Sequence, residues 1–277
     1  MKIIVAVSGG IDSVVLLDML ARSGGHNLVV AHFDHGMRDD SAADARFVEL
    51  LAAKYGLEFV GRREELSGAS EAQARDRRYG FLFGEADKRQ AKLATAHHLD
   101  DLVETIALNV NRGTRWRGLA SMNDDRIWRP LVNRTKSELK DYAAENRLEW
   151  VEDETNSTDA YSRNRIRRKV APLPDSTKLS LYSLWQKQVS LKQEIVREIQ
   201  GSDFPVQSRY FMTMIERGVA IELLYEFVLG STGVSLLTDQ LDRLHLAIKV
   251  GRIGTVWQIA GGVEISLNRQ NWRIKEK

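Results

Sequence analysis

The stretch KIIVAVSGGIDS at residues 2–13 decides the fold of this 277-residue chain. Residues 2–7 are apolar and rich in β-branched side chains, which predicts a buried strand. Residues 14–21 are apolar at helical spacing, and Gly9 and Gly10 lie between the two patterns. A glycine-rich turn from a strand into a helix is a ready anion site, because backbone N–H groups and the positive end of the helix dipole face the ligand.

This loop differs from the two commonest nucleotide-binding loops. The chain contains neither the Gly-Lys-Ser/Thr of a Walker loop nor a G-x-G-x-x-G dinucleotide fingerprint. A tight turn capped by serine is the simpler alternative, but the whole hexapeptide at the end of the first strand favours a phosphate site. The predicted phosphate-binding residues are Ser8, Gly9, Gly10, Ile11, Asp12 and Ser13.

Strand and helix patterns alternate through the first 150 residues. Apolar runs recur at residues 27–33, 57–61 and 92–96, and helical patterns occupy residues 41–55, 70–89, 99–111 and 135–147. Two of these helices begin with capping boxes, SEAQ at 70–73 and TKSE at 135–138. The alternation predicts an α/β fold with an open, mainly parallel sheet.

The pattern changes after residue 170. Pro172 and Pro174 are two of only four prolines, and three helical stretches follow at residues 176–200, 208–229 and 235–250. Residues 255–277 alternate like a β-hairpin or a small meander. We therefore predict an α/β domain over residues 1–172 and a smaller C-terminal helical plus β-hairpin domain over residues 173–277.

Composition excludes several classes of protein. The chain has no cysteine, which excludes a disulfide scaffold, a Cys-ligated zinc or iron–sulfur site and a cysteine nucleophile. No apolar run reaches the roughly 18 residues of a membrane span, so we expect a cytoplasmic protein with no membrane partner. The net charge of +2 does not by itself indicate a nucleic-acid partner.

The hexapeptide at residues 8–13 resembles the Ser-Gly-Gly-x-Asp-Ser loop of the PP-loop ATP pyrophosphatases, which have an adenine nucleotide α-hydrolase-like fold. Further stretches are similar to the motifs of one family, the tRNA(Ile)-lysidine synthetases. These stretches are HFDHGMR at 32–38, ARDRRY at 74–79, TAHHLDDLVET at 95–105, NRGT at 111–114, RPL at 129–131, EDETN at 152–156 and YSRNRIR at 161–167. They follow the family's order over most of residues 1–172.

The resemblance implies an activity on RNA. ATP would adenylate the C2 carbonyl oxygen of the wobble cytidine in the CAU anticodon of a tRNA(Ile), and pyrophosphate would leave. Free L-lysine would then attack C2 through its ε-amine and expel AMP, which leaves lysidine and changes decoding from AUG to AUA. The implied cofactors are ATP, as a substrate, and Mg²⁺.

Five carboxylates are the catalytic candidates. Asp12 and Asp34 follow predicted strands, and each is a candidate ligand for Mg²⁺ or a substrate. Asp100, Asp101 and Glu104 share a helix face, and we expect them to position the lysine substrate. The alternative for these three acids is a favourable interaction with the helix dipole. Nearby histidines are expected to contact a base or phosphate, or to cap a strand, rather than to bind zinc.

Arginine-rich segments point to RNA. Residues 161–169 carry five basic side chains and no acid, and residues 112–134 carry six arginines and two tryptophans. Guanidinium groups beside aromatic rings suit a phosphate backbone and an unstacked base, although such runs are often only solvated faces. The predicted RNA-binding residues are Arg75, Arg78, Arg112, Arg115, Arg163, Arg165 and Arg167.

Other interpretations of the sequence compete with this one. A tRNA thiolase shares the ATP loop, but sulfur transfer generally needs cysteine. An amide-forming ligase of the NAD synthetase type would leave the motifs at 98–104 and 163–167 unexplained. The broader alternative is another cysteine-independent PP-loop ATP-dependent ligase or RNA-modifying enzyme. A non-catalytic RNA-binding module would not need the intact loop and acidic helix.

Overall fold

The computed structural model describes residues 1–36, 41–66, 68–114, 116–152, 162–260 and 262–275, without the side chains of residues 41, 42, 71 and 162–164. The chain divides into two compact units. Unit 1 comprises residues 1–108 and 121–185, and unit 2 comprises residues 109–120 and 186–277. The domain boundary between residues 172 and 173 stays a prediction.

Unit 1 is built on a five-stranded parallel sheet in the order β3-β2-β1-β4-β5. The strands are β1 (Lys2–Ala6), β2 (Asn27–Asp34), β3 (Glu58–Arg63), β4 (Lys92–Ala94) and β5 (Ile127–Trp128). The helices are α1 (Ile11–Ser23), α2 (Ser41–Lys54), α3 (Glu71–Lys88), α4 (Leu99–Asn111), α6 (Lys136–Glu145) and α7 (Ser162–Val170); α5 (Trp116–Leu119) belongs to unit 2. The predicted α/β class with a mainly parallel sheet is confirmed.

The side chains of β1 show that this sheet is covered on both faces. The buried residues 3–5 of β1 alternate between two cores and are apolar, because neither face meets water there. Ile3 and Val5 pack into a cluster with α1, α2 and α6, whereas Ile4 packs with Phe81 and Leu82 of α3 on the other face. The capping boxes predicted at Ser70 and Thr135 are present and begin α3 and α6.

The strand order reverses at β1. The chain moves from β1 to β2 and β3 on one side, and then returns to place β4 and β5 on the other. Val5 is paired with Val30 of β2 and with Ala94 of β4. In open parallel sheets, the crevice outside the carboxyl ends at such a switch point is where ligands bind.

Unit 2 contains helices and a small antiparallel sheet in the order β6-β7-β8. Its elements include part of α8 (Asp175–Gln200), then α9 (Arg209–Met214), α10 (Arg217–Thr232), α11 (Thr238–Val250), β6 (Val256–Gln258), β7 (Glu264–Leu267) and β8 (Trp272–Ile274). Its core includes Met212 and Trp272, both fully buried. Within the described residues, no helix is both long and apolar enough to cross a membrane.

Unit 2 contains two helices where the sequence predicts one. The pattern over residues 208–229 predicts a continuous helix, but the chain breaks between α9 and α10. Ile215 is extended, and the side chain of Glu216 accepts a hydrogen bond from Val219 N at 3.1 Å. This side-chain cap satisfies a free amide at the start of α10, so a new helix begins where the apolar periodicity alone shows no interruption.

Candidate functional site

A cavity of about 610 Å³ lies at the carboxyl ends of the strands of unit 1. Its walls include Ser8 after β1, Asp34 at the end of β2 and His97 after β4, with Arg78 and Tyr79 of α3. These residues are distant in sequence and converge because parallel strands end at the same edge. The volume is typical of a small-molecule site.

Hydrogen bonds within the loop shape one wall of this cavity. Ser13 Oγ donates to Gly10 O at 2.8 Å and accepts from Ser8 N at 3.1 Å. Ser8 Oγ lies 3.2 Å from Ser13 Oγ. The two serines therefore stabilise the turn directly before the first turn of α1. In that first turn, Ser13 N donates to Gly10 O at 3.0 Å, and the amides of Ile11 and Asp12 have no acceptor within the helix.

The backbone conformation at position 9 requires glycine. Its φ of +96° is a region that other residues rarely adopt. Its carbonyl accepts a hydrogen bond from Val151 N at 3.0 Å, which ties the loop to the segment after α6. The loop is thus held in place from outside as well as by its own serines.

Asp12 is the centre of a charged group beside the loop. Its Oδ1 lies 2.5 Å from Lys136 Nζ, and its Oδ2 lies 3.7 Å from His98 Nε2. Burial alone would raise the pKa of Asp12, but the hydrogen bonds and charges of His98 and Lys136 outweigh it and lower the pKa. Asp12 is therefore a carboxylate at neutral pH.

The pKa values of the two neighbouring histidines are shifted in opposite directions. Burial would lower the pKa of His98, but Asp12 and Asp101 raise it above its ordinary value. Burial lowers the pKa of His97 to about 4, where Asp101 opposes the shift and Arg129 adds to it. His97 Nδ1 is 2.8 Å from Thr95 Oγ1. At neutral pH, His97 is therefore an uncharged group on the cavity wall, whereas His98 gains protons more readily.

The three acids of α4 have different partners. Asp101 lines the cavity, and its Oδ2 accepts from His98 N at 3.0 Å. Asp100 contacts Lys178 Nζ at 2.7 Å, and burial, which would raise its pKa, is outweighed by this lysine, so the pKa is lowered. Glu104 is buried and accepts from Arg167 Nε at 2.7 Å. Of these three, only Asp101 is on the cavity wall.

The loop at residues 8–13 follows β1, which lies between β2 and β4 in the sheet. Asp34 ends β2 and α4 follows β4, so Asp34 and α4 lie on opposite sides of this loop. Asp34 lines the cavity, and only 6% of its surface is exposed. Its Oδ1 accepts from Gly36 N at 2.8 Å, and its Oδ2 is 3.7 Å from Arg63 Nε. Asp12 and Asp34 therefore both present carboxylate oxygens to one cavity.

A family model described as a PP-loop domain matches residues 1–174. The chain belongs to the PP-loop domain family. It is 37% identical over 182 residues to a tRNA(Ile)-lysidine synthase from Haemophilus ducreyi, which is 62% of this chain and 42% of that protein. It is 38% identical over 187 residues to one from Thermosipho africanus, 62% of this chain and 43% of that protein. The chain thus spans less than half the length of these relatives.

The fold of the PP-loop domain is shared with a solved structure. The U34-tRNA thiolase NcsA from Methanococcus maripaludis matches with a TM-score of 0.57 and 19% identity, over 69% of this chain and 71% of that chain. At this identity the likeness shows the fold alone.

The predicted arginines of this PP-loop protein have different surroundings. Arg78 lines the cavity, and the exposed Arg75 packs against Tyr79, which also lines it. Arg167 pairs with Glu104, Arg165 is exposed on α7, and Arg112 is exposed in unit 2. Arg115 and the side chain of Arg163 lie outside the described residues, as do Met37, Arg38 and residues 153–156 of the motifs.

Three cations near the PP-loop site are missing from the predicted site residues, although the RPL motif and the arginine-rich segment 112–134 both include Arg129. Lys136 is the first residue of α6 and reaches Asp12, and its backbone N donates to Asp100 at 2.8 Å. The TKSE capping box placed Lys136 at the start of a helix, and this position is the sequence signal that could have identified it. Lys178 is 6% exposed on α8 and has no sequence signal. Arg129, in the RPL motif, has a buried Nε without a hydrogen-bond partner among the described residues.

The donor set fits a magnesium–nucleotide complex. No group of three or more His, Asp or Glu in the described residues could hold a metal ion. Mg²⁺ on a nucleotide needs only one or two carboxylates, because phosphate oxygens and waters complete its shell. Asp12 and Asp34, both on the wall of the cavity beside the loop, provide that number.

Proposed function

We propose that this chain ligates lysine to C2 of the wobble cytidine in the CAU anticodon of a tRNA(Ile), through an adenylated cytidine, to give lysidine and to change decoding from AUG to AUA. The observation that carries the proposal is the single cavity lined by the PP-loop serines together with Asp12, Asp34 and Asp101. Relatives named tRNA(Ile)-lysidine synthase, 36–38% identical over 61–62% of the chain, support it.

The loop would hold the phosphates of ATP. The amides at the start of α1 would face the negative charge of the phosphates, and Lys136 would add positive charge next to them. The cytidine O2 would attack the α-phosphorus, and the bond from that phosphorus to the bridging oxygen would break, so that pyrophosphate leaves. Mg²⁺ on Asp12 and Asp34 would neutralise charge on the phosphates.

The second step needs a neutral amine. The ε-ammonium of lysine has a pKa of about 10.4, so it must lose a proton before it attacks C2. Asp101 is on the cavity wall and is our first candidate to hold the ammonium and accept that proton, with Asp100 and Glu104 on the same helix. The new C2–N bond forms as the C2–O bond breaks, and AMP leaves with the oxygen.

The remaining parts of the proposal concern the RNA and the cell. Arg75, Arg78, Arg112, Arg115, Arg163, Arg165 and Arg167 are the proposed RNA contacts. Residues 1–172 would form the catalytic domain, and residues 173–277 a C-terminal accessory domain that binds tRNA. The reaction would take place in the cytoplasm, where its tRNA, free lysine and ATP are found.

One assay tests the proposal. The protein is mixed with ATP, Mg²⁺, radiolabelled lysine and a tRNA(Ile) transcript that bears CAU, and a transcript with UAU is the control. We expect lysine incorporation that needs ATP and yields AMP and pyrophosphate. Asp12→Asn and Asp101→Asn should each lower incorporation by about 100-fold or more, as for loss of a preorganised catalytic charge.

A matched variant and three outcomes make the assay decisive. Glu49→Gln removes an exposed acid of α2 that pairs only with Arg46 among the described residues, and it should leave the rate unchanged. Pyrophosphate release that needs no tRNA would instead indicate a small-molecule ligase. RNA binding with no turnover would indicate a passive binder, and incorporation that survives Asp12→Asn would refute the role of Asp12.

A further inference from the structure

We propose that Arg75, Tyr79 and Arg129 form a phosphodiester-binding site beside the cavity, which holds the RNA backbone next to the nucleotide that enters. The choice of RNA as the source of the phosphate rests on the proposed function. The charge cluster itself rests on the observations that follow.

The first part of the site lies on α3. In a parallel sheet, a helix that follows a strand starts at the carboxyl edge, so Arg75 and Tyr79, in the first turns of α3, lie at the cavity edge. The guanidinium of Arg75 lies 4.6 Å from the centre of the Tyr79 ring, and its Nη2 is 3.4 Å from Tyr79 Oη. Arg78 approaches the same ring at 5.4 Å. Two guanidinium groups therefore contact the ring of Tyr79.

The second part is Arg129, directly after β5. Among the described residues, no carboxylate lies within ion-pair distance of its guanidinium, and its buried Nε has no acceptor. Its one hydrogen bond among the described residues is from Nη1 to Ile127 O at 3.4 Å. Burial lowers the pKa of Arg129; Tyr79 and the more distant Asp124 oppose this shift, and the charge of Arg75 adds to it. By contrast, Arg126, three residues earlier, is neutralised by Asp124 at 3.1 Å.

Arg75, Arg78 and Arg129 all act electrostatically on one residue of the cavity wall, His97. Each arginine disfavours the protonated form of His97, whereas Asp101 favours it. Three cations against one carboxylate leave an excess of positive charge at a partly buried position, and an anion that joins them lowers the repulsion. A phosphodiester offers two acceptor oxygens, and a guanidinium binds such oxygens in a fork.

Strand order favours RNA over ATP as the source of this phosphate. The PP-loop follows β1, whereas Arg129 follows β5, and β4 lies between them. Neighbouring strands are about 4.8 Å apart, so the two anion sites are separated by roughly 10 Å across the sheet. Phosphates of ATP on the loop would thus leave this second site for the backbone beside the target base.

Binding measurements on the whole chain test the site. A fluorescein-labelled 17-nucleotide anticodon stem-loop with CAU is titrated by anisotropy between 50 and 200 mM KCl, and ATP is titrated separately by calorimetry. Arg75→Gln and Arg129→Gln should each weaken RNA binding about 5- to 10-fold and reduce the salt slope by about 1, as for one lost phosphate contact. The dissociation constant for ATP should change less than twofold.

The control removes the same charge at the other end of the sheet. Lys92 is exposed at the first residue of β4, so Lys92→Gln lowers the net charge equally without touching the cavity edge. If Lys92→Gln weakened RNA binding as much, the effect would be general charge and the site would be refuted. Weaker ATP binding with RNA binding intact would assign the arginines to the nucleotide and overturn the proposal, and so would no change in either.

Two further observations distinguish a failure of this site from a folding defect and from a failure of the proposed function. Arg75 is exposed, so Arg75→Gln keeps the test valid if Arg129→Gln does not fold. RNA binding that depends on both arginines, without lysine incorporation by the wild-type protein, would overturn the proposed function and leave this site standing.

Discussion

Replacing Asp18 with asparagine should destabilise unit 1, because this carboxylate ties three helices together. Asp18 is fully buried on α1 and accepts hydrogen bonds from Tyr55 Oη and from Tyr142 Oη, the latter at 2.7 Å. Arg22 Nε lies 2.7 Å from it, but the arginine is more than half exposed. α1 begins at the PP-loop, so the same contacts orient the loop.

The size of the effect follows from these contacts. A hydrogen bond to a buried charge contributes about 1.5–3 kcal/mol, whereas the exposed Arg22 pair contributes about 0.5 kcal/mol. Asparagine retains one acceptor oxygen for one of the two tyrosines. We therefore expect Asp18→Asn to lower the free energy of unfolding by about 2–4 kcal/mol. Tyr142→Phe alone should lower it by about 1–1.5 kcal/mol.

Hydrogen exchange of β1 and α1 peptides across a urea series measures this stability within unit 1. The double variant Asp18→Asn/Tyr142→Phe should fall short of additivity by about 1 kcal/mol, because both changes remove the same bond. Glu49→Gln, on the exposed face of α2, should stay within about 0.5 kcal/mol of wild type. A loss below about 0.5 kcal/mol in Asp18→Asn, or full additivity, would refute the reasoning.

The pH dependence supplies a second check. Burial would raise the pKa of Asp18, but the hydrogen bonds of Tyr55, Tyr142 and Arg22 outweigh it and lower the pKa. A lowered pKa in the folded state adds stability above the unfolded value of about 3.9, and this is lost as pH falls through the folded value. The stability difference from Asp18→Asn should be constant from pH 8 to 5 and shrink below about 4.

Three further predictions concern other ion pairs. The ring of His98 should titrate above the ordinary pKa of about 6.5 by NMR, and Asp12→Asn should lower its midpoint, since Asp12 is one cause of the shift; an unmoved midpoint would contradict this. Lys178→Met should cost about 2–3 kcal/mol in urea unfolding, because Asp100 keeps a half-buried charge, and Asp100→Asn should restore part of that loss; no restoration would contradict the pairing. Arg117→Met should speed hydrogen exchange in α10, because this guanidinium bridges two of its glutamates, and unchanged exchange would contradict that contact.

The sheet and its helices could be predicted because their signals are local. Buried strands read as apolar runs, and the caps at Ser70 and Thr135 fix where two helices begin. β5 was not predicted, because two residues carry no periodicity and become a strand only by pairing with β4. The break before α10 was missed because a cap from Glu216 is invisible in an apolar pattern.

The site could be predicted less fully than the fold. The loop and the acids follow strand ends, so strand topology brings Asp12, Asp34 and Asp101 to one cavity. Ion-pair partners depend on tertiary packing, which explains why Lys136 and Lys178 were missed. The charge count of an arginine-rich segment also misleads, because part of it is already neutralised inside the chain.

Segment 109–120 belongs to unit 2, although it precedes much of unit 1 in the chain. Trp116 Nε1 and Arg117 Nε both donate to the carboxylate of Glu222, which is 105 residues beyond Arg117. At a synthesis rate of about 5–20 residues per second, this segment leaves the ribosome roughly 5–20 seconds before its partner exists. Residues 1–108 and 121–185 are complete before unit 2 can close. Translation therefore imposes an order of assembly, with the nucleotide-binding unit first and the C-terminal unit second.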